Sequence, residues 1–266
     1  MGKRRKNTKT DYIKIGKAIT AIALMVFLFF SVFQKLGSPL NDINIEISKG
    51  SDKKTLIKEK DVRSLLKTEL GYDISIAEIA QLDLYKLEKI LTRDDRINRA
   101  DLFVDKHNNL FIKVEQKQPI VRIDVTDGND YYLDYKGERI PVTDVFRVPV
   151  VTGHVDKYII SFKEHKKNNL NAVLELAQKV HDDDFLSALV EQIYVNEKSE
   201  VTIVPKIGRD KILLGQIEDL DEKIYKLKVY YEKGIKNIGI DKFDELDLQY
   251  KGIGKRYRYI NQIKNR

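Results

Sequence analysis

The densest run of possible metal-binding side chains is His181, Asp182, Asp183 and Asp184. Carboxylate oxygens are the ligands that hard cations such as Ca²⁺ and Mg²⁺ prefer. Successive residues on a helix do not face one another, and no second ligand group follows at a useful spacing. We therefore interpret the run as a polar junction between helices and predict no metal site there.

Three further patterns could bind a ligand or catalyse a reaction, and each lacks a necessary part. Residues 127–130 suggest a calcium loop, but the bidentate glutamate and the regular alternation of oxygen ligands are missing. Residues 252–255 (GIGK) lack the full spacing of a phosphate-binding loop. His107, His154 and His165 lie in polar stretches, and no Gly-x-Ser-x-Gly elbow accompanies them. The sequence thus predicts no catalytic residue, no cofactor and no enzymatic activity.

The distribution of charge disfavours nucleic-acid binding, although the formal net charge is +7. Residues 1–17 and residues 251–266 carry +6 each, which leaves −5 for the part between them. A duplex-binding domain needs its positive charge clustered on a folded face. The absence of cysteine also excludes disulfide bonds and thiolate metal sites.

Residues 18–33 (AITAIALMVFLFFSVF) form an uncharged, almost wholly apolar run. A membrane-spanning helix needs about 20 such residues, so we predict a transmembrane helix over residues 18–36. The basic tail at residues 1–17 predicts a cytoplasmic N-terminus, a single-pass protein in the plasma (inner) membrane and an extracytoplasmic bulk of the chain. The alternatives are a cleaved signal peptide, for which a small-residue cleavage site is missing, and a buried core helix.

Beyond this run, the apolar periodicity predicts an α+β protein with two extracytoplasmic domains. The first, residues 41–115, shows the order strand, helix, helix, strand, strand, with apolar periodicity at residues 43–47, 62–69, 84–91, 102–104 and 110–114. Gly71 should end the first helix and Asp83 should cap the second. For residues 116–250 we predict a mixed β domain with flanking helices. Residues 251–266 follow it as a basic tail.

Taken together and in order, several phrases of the sequence resemble the bacterial cell-division family FtsQ/DivIB. They are residues 98–102 (NRADL), 114–123 (VEQKQPIVRI), 131–134 (YYLD), 148–153 (VPVVTG) and 246–251 (LDLQYK). Gln116 stands where the family's Glu-Arg-x-Pro junction has arginine. The resemblance implies that residues 41–115 form a POTRA-like β-α-α-β-β domain. It also implies a non-catalytic scaffold at the division septum that links early and late division proteins and contacts the membrane-anchored FtsB and FtsL proteins.

Two other functions stay open at this stage. One is a membrane-anchored protein that binds cell-wall glycan or lipid headgroups through the basic tail and its Tyr257 and Tyr259. The other is an anchored hydrolase, which would need a cluster of acid, base and nucleophile.

The strand at residues 243–250 is predicted to bind the partner, because no later element is evident that could cover its free side. It has no proline, and it alternates apolar with polar residues in a pattern suited to pairing with one buried face. The predicted partner-binding residues are Leu246, Asp247, Leu248, Gln249, Tyr250 and Lys251. The alternative is a strand that is fully paired within its own sheet.

Overall fold

The apolar run near the N-terminus lies in a helix, α1 (Thr8–Leu36). The computed structural model describes residues 8–36, 38–50, 54–125, 128–208, 211–234, 243–249 and 257–259. No helix in these ranges is both long enough and apolar enough to cross a membrane, so the transmembrane helix predicted over residues 18–36 is wrong.

The alternating and helical patterns after α1 build the first of two units, which comprises residues 1–48 and 57–115. Its elements follow in the predicted order of strand, two helices and two strands: β1 (Asp42–Ile47), α2 (Glu59–Leu70), α3 (Leu84–Leu91), β2 (Ile97–Val104) and β3 (Asn109–Gln116). The sheet order is β1-β3-β2, and β1 runs parallel to β3. Buried side chains of both helices share one core with the inner face of this sheet.

Local chemistry sets the ends of both helices in this unit. Gly71 ends α2 in the left-handed region (φ 78°), and Asp83 caps α3 by accepting a hydrogen bond from the Lys86 backbone N–H at 3.0 Å. Both features were predicted. No Ser or Thr precedes α2 as a cap; instead, the Asp61 carboxylate accepts a hydrogen bond from the Lys58 N–H at 2.9 Å.

The second unit comprises residues 49–56 and 116–266. Its strands and helices along the chain are β4 (Pro119–Ile123), β5 (Tyr131–Asp134), β6 (Arg139–Pro141), β7 (Val150–Gly153), α4 (Leu170–Asp182), α5 (Asp184–Leu189), β8 (Val190–Val195), β9 (Val201–Pro205), β10 (Lys211–Gly215), α6 (Leu220–Val229), β11 (Phe243–Asp247) and β12 (Tyr257–Tyr259). The described strands form one sheet of order β12-β11-β10-β9-β8-β7-β4-β5-β6. With the first unit, this confirms the mixed α+β class.

Apolar side chains on one face of this sheet form its core with α4, α5 and α6. A smaller cluster of Leu56, Tyr132, Ile140 and Phe146 lies apart from it.

Gln116, the residue that replaces the family's arginine, is 2% exposed and holds a short segment of the second unit. Its side-chain oxygen accepts a hydrogen bond from the Leu56 N–H at 2.6 Å, and its amide donates to the Lys54 carbonyl at 3.0 Å. An amide supplies both a donor and an acceptor, whereas arginine only donates. The substitution therefore suits a site that must bind both kinds of backbone group.

Gly153 lies at the end of β7, in the left-handed region with φ 96°. A Cβ at this position would collide with the carbonyl oxygen of Val195 on the neighbouring strand β8. Gly128 also has positive φ (81°), but a Cβ there would meet nothing within 4 Å. An alanine at Gly128 would therefore introduce backbone strain alone, whereas an alanine at Gly153 would introduce both strain and a steric collision.

We predict that Gly153→Ala lowers the free energy of unfolding by about 2–4 kcal/mol, because strain and overpacking add. Gly128→Ala, the matched control, should cost only the strain, about 1–2 kcal/mol. Urea unfolding of both full-length variants measures the difference. Equal losses would contradict the close approach of β7 and β8 at Gly153.

Candidate functional site

The predicted partner-binding strand lies near one end of the nine-stranded sheet. β11 runs parallel to β10, with Leu246 opposite Ile212 and Asp247 opposite Leu213. The Leu248 N–H extends this pairing by donating to the Leu213 carbonyl at 2.9 Å. The strand is thus held to the sheet through its backbone on the β10 side.

The side chains of this strand alternate between the core and the surface. Leu246 and Leu248 are 6% and 7% exposed and belong to the main core of the second unit. Asp247 is half-buried and Gln249 is exposed; the Gln249 N–H donates to the Asp247 carboxylate at 3.0 Å. Tyr250 and Lys251 lie outside the described residues. The structure therefore brings four of the six predicted residues together, and only Asp247 and Gln249 among these four offer side chains to a partner.

The expectation that no later element covers β11 is wrong. β12 pairs with β11 in the antiparallel sense, with Phe243 opposite Tyr259 and Leu246 opposite Tyr257. The register shifts between these two pairs, and β12 spans only residues 257–259. The outermost described strand at this end of the sheet is therefore β12, which makes a short and irregular pairing.

The other sheet edges in the described residues carry blocking groups. β6, at the opposite end of the large sheet, ends in Pro141, which has no N–H to offer. In the small sheet, Glu88 of α3 accepts a hydrogen bond from the Leu102 N–H of β2 at 2.8 Å. Arg63 of α2 donates to the Ile43 carbonyl of β1 at 3.4 Å. Proline and charged side chains are common means of preventing edge pairing.

A buried lysine fixes the turn between β10 and α6 beside this edge. Lys223 is 8% exposed, and its ammonium donates to the carbonyls of Leu214 and Gln216 at 2.7 and 2.6 Å. Burial lowers the pKa of the Lys223 ammonium from its ordinary value. Asp219 precedes the helix in the left-handed region, with φ 52°. Lys223 was not predicted from the sequence, although its spacing after Leu220 places it on the apolar stripe of α6.

The His181–Asp184 run is a junction between α4 and α5, as interpreted from the sequence. Asp182 accepts a hydrogen bond from the Tyr135 hydroxyl at 2.8 Å, which raises the pKa of that tyrosine. Asp183 caps α5 and pairs with Lys228, which lowers the pKa of the Asp183 carboxyl. Within the described ranges, no three His, Asp or Glu side chains are grouped as metal ligands.

Next to Tyr135, Asp134 is a buried carboxyl at the turn between β5 and β6. It is 6% exposed, and its side chain accepts a hydrogen bond from the Glu138 N–H at 2.7 Å. Burial, which penalises the charged form, raises the pKa of Asp134 above its ordinary value. The residue therefore supports the turn while its charge opposes folding.

Comparison with known proteins gives one family. The profile of the family described as FtsQ/DivIB, C-terminal related, matches residues 118–253. No curated protein matches the chain in a sequence search. The matched range begins just before β4 and includes the whole of β11.

The buried ammonium of Lys223 leads to a stability prediction. Lys223→Met should lower the free energy of unfolding by about 1–3 kcal/mol, because the buried Leu214 carbonyl and the part-buried Gln216 carbonyl lose their donor. The control is Lys179 of α4, which forms an exposed ion pair with Asp221 of α6 at 2.6 Å. Lys179→Met should lower the free energy of unfolding by at most about 1 kcal/mol. Urea unfolding of both variants makes the comparison; an equal or smaller loss for Lys223→Met would contradict the role of Lys223 at the turn.

Asp134 leads to a prediction of pH dependence. Its pKa is raised in the folded protein and returns to about 3.9 on unfolding, so the folded state binds the proton more tightly. Stability should therefore fall as pH rises from about 4 through the folded pKa. Asp134→Asn cannot ionise and keeps an oxygen for the Glu138 N–H. The free energy of unfolding of this variant, relative to the unsubstituted protein, should grow over that window and then level off. A difference that is constant with pH would contradict the assignment.

Proposed function

Because the chain belongs to the FtsQ/DivIB family, we propose that it is a non-catalytic scaffold of the division septum that links early and late division proteins. The family consists of non-catalytic division proteins, so the role of the chain lies in cell division. The proposal adds the scaffold function, the absence of enzymatic activity and partners of the FtsB and FtsL type. It assigns partner binding to the domain of residues 116–250 and to residues 246–251 at the end of its sheet.

The observation that supports this assignment is the short and irregular pairing of β12 with β11 at one end of the large sheet. The described residues form four sheet edges, of which three carry blocking groups. β6 ends in a proline, and charged side chains form hydrogen bonds with backbone groups of β1 and β2. The fourth lies at β12, beside β11. An extended segment of a partner can add to such an edge through main-chain hydrogen bonds.

The burial pattern determines what the partner would recognise. Leu246 and Leu248 are committed to the core, so the partner would contact the backbone and the outward side chains of Asp247 and Gln249. The proposed mode of addition follows from the short β12: the partner strand pairs with the free side of β12. This mode requires the backbone of residues 257–259 to be part of the interface.

The neighbouring residues also show where a truncation should fall. Removing residues from Leu246 onward would delete two core leucines and confuse loss of binding with loss of folding. Proline at Leu248 has the same defect, because the Leu248 N–H pairs with Leu213. A chain that ends after Gln249 keeps both leucines and this hydrogen bond.

We predict that the chain ending after Gln249 binds a purified FtsB-like partner at least about ten-fold more weakly than the full chain, since several main-chain hydrogen bonds are lost. A chain ending after Ile260, which keeps the sequence of β12, should bind like the full chain. Affinity by titration calorimetry and thermal unfolding of each chain separate binding from folding. Undiminished binding by the shorter chain would place the interface elsewhere, most simply on the first unit.

The features on which the two alternative functions were based gain no support from the described residues. The basic tail proposed to bind glycan or headgroups lies outside them, apart from the backbone of β12. A hydrolase would need a cluster of acid, base and nucleophile, and the titratable residues at the α4–α5 junction are engaged in a helix cap, an ion pair and a tyrosine hydrogen bond.

A further inference from the structure

The segment that connects β7 to α4 presents two consecutive isoleucines to solvent. Ile160 is 90% exposed, the highest value among the large apolar side chains of the described residues, and Ile159 is 42% exposed. Single exposed apolar side chains are normal on protein surfaces. Two adjacent ones at the most exposed point of a connection require an explanation, and we call them the Ile159–Ile160 tip.

The tip is held in place by a hydrogen-bonded base. Asn169 donates to the His154 carbonyl at 2.7 Å, and its backbone and side chain exchange two hydrogen bonds with Asp156 at 2.7 and 2.8 Å. Asn171 donates to the carbonyls of Phe162 and His165, both at 3.0 Å. The two ends of the connection are thus tied together, and the exposure of the isoleucines is a property of a folded segment.

The tip is anchored to the core by the aromatic residues on either side of it, Tyr158 and Phe162. Phe162 follows the tip by two residues and is completely buried, and its N–H donates to the Ile159 carbonyl at 2.9 Å. Its ring lies 5.7 Å from that of Tyr158, which in turn meets the ring of Tyr131 in β5. With Tyr158 and Phe162 turned inward, the intervening isoleucines are turned outward.

Four exposed lysines lie in the same segment as the tip: Lys157, Lys163, Lys166 and Lys167. None of them forms an ion pair within the described ranges of the chain. Lys163 donates to the Lys136 carbonyl at 2.6 Å and also acts electrostatically on Glu138. The segment has two acidic residues, Asp156, which is engaged with the Asn169 backbone, and the exposed Glu164. The segment that carries the apolar tip therefore has an excess of positive charge.

We propose that the Ile159–Ile160 tip and its lysines form a docking surface for an anionic lipid bilayer. Apolar side chains that enter the headgroup region, with lysines that reach the negatively charged surface, are the chemistry of interfacial membrane binding. A protein partner fits less well, because lysine is depleted and Trp, Tyr and Arg are enriched at protein interfaces.

The chain contains no tryptophan, so a single introduced one reports locally on the tip. Ile160→Trp in the full-length protein should shift its fluorescence to the blue with vesicles of equimolar phosphatidylglycerol and phosphatidylcholine. Vesicles of phosphatidylcholine alone should cause no shift, and about 0.5 M sodium chloride should reverse it. Tyr225→Trp is the matched control: Tyr225 is 68% exposed on α6 in the same unit, next to the acidic Asp221 and Glu222, and should show no shift.

The contribution of the lysines is measured in the same background. Adding Lys166→Gln and Lys167→Gln should raise the lipid concentration for half-maximal shift by about twenty-five-fold, at about five-fold per lysine. The proposal is overturned if the Ile160→Trp emission does not shift, if Tyr225→Trp shifts equally, or if the lysine substitutions leave the half-maximal concentration unchanged. A shift caused by poly-glutamate and not by vesicles would assign the tip to a protein partner and would also overturn it.

Discussion

The backbone groups along the outer strands of a sheet must find partners, and this requirement organises both units of the protein. In the small sheet the solution is electrostatic: helices α2 and α3 place Arg63 and Glu88 on the edge backbone of β1 and β2. In the large sheet one end is closed by Pro141. The remaining end is covered by a three-residue strand, β12, which satisfies only part of β11. The free-energy cost of adding a further strand should therefore differ from edge to edge.

The same accounting of backbone groups explains Gln116. The segment from Lys54 to Leu56 lies in the second unit although the chain on either side of residues 49–56 belongs to the first. These residues are not part of a strand, so their N–H and C=O groups need partners outside a β-ladder. A buried amide supplies one donor and one acceptor, and Leu56 then packs against Tyr132 and Phe146. One polar residue thus lets an apolar side chain reach its core.

Periodicity and local caps predicted the parts of the fold that depend on nearby residues. The alternation at residues 43–47, the cap at Asp83 and the glycine at Gly71 each act within a few residues, and each recurs in the structure as β1, α3 and the end of α2. The pairing of β12 with β11 and the hydrogen bonds of Gln116 to Lys54 and Leu56 connect residues that are distant in the sequence. No local pattern could therefore predict them. Apolar composition alone also led to the incorrect transmembrane helix at residues 18–36. At the candidate site, alternation predicted which side chains of β11 face inward, whereas the strand on its far side could not be foreseen.

Under the proposed mode, burial of Leu246 and Leu248 would couple partner binding to the packing of the last strands. A segment that pairs with β12 would bind only the arrangement in which β11 is docked on β10, so it would stabilise that arrangement by mass action. A change that loosens the docking of β11, including one at the buried Lys223, would weaken binding in proportion to the loss of the docked population. The affinity of this edge would then depend on the turn between β10 and α6 as well as on the residues that touch the partner. A scaffold built in this way links recognition to the integrity of its own core.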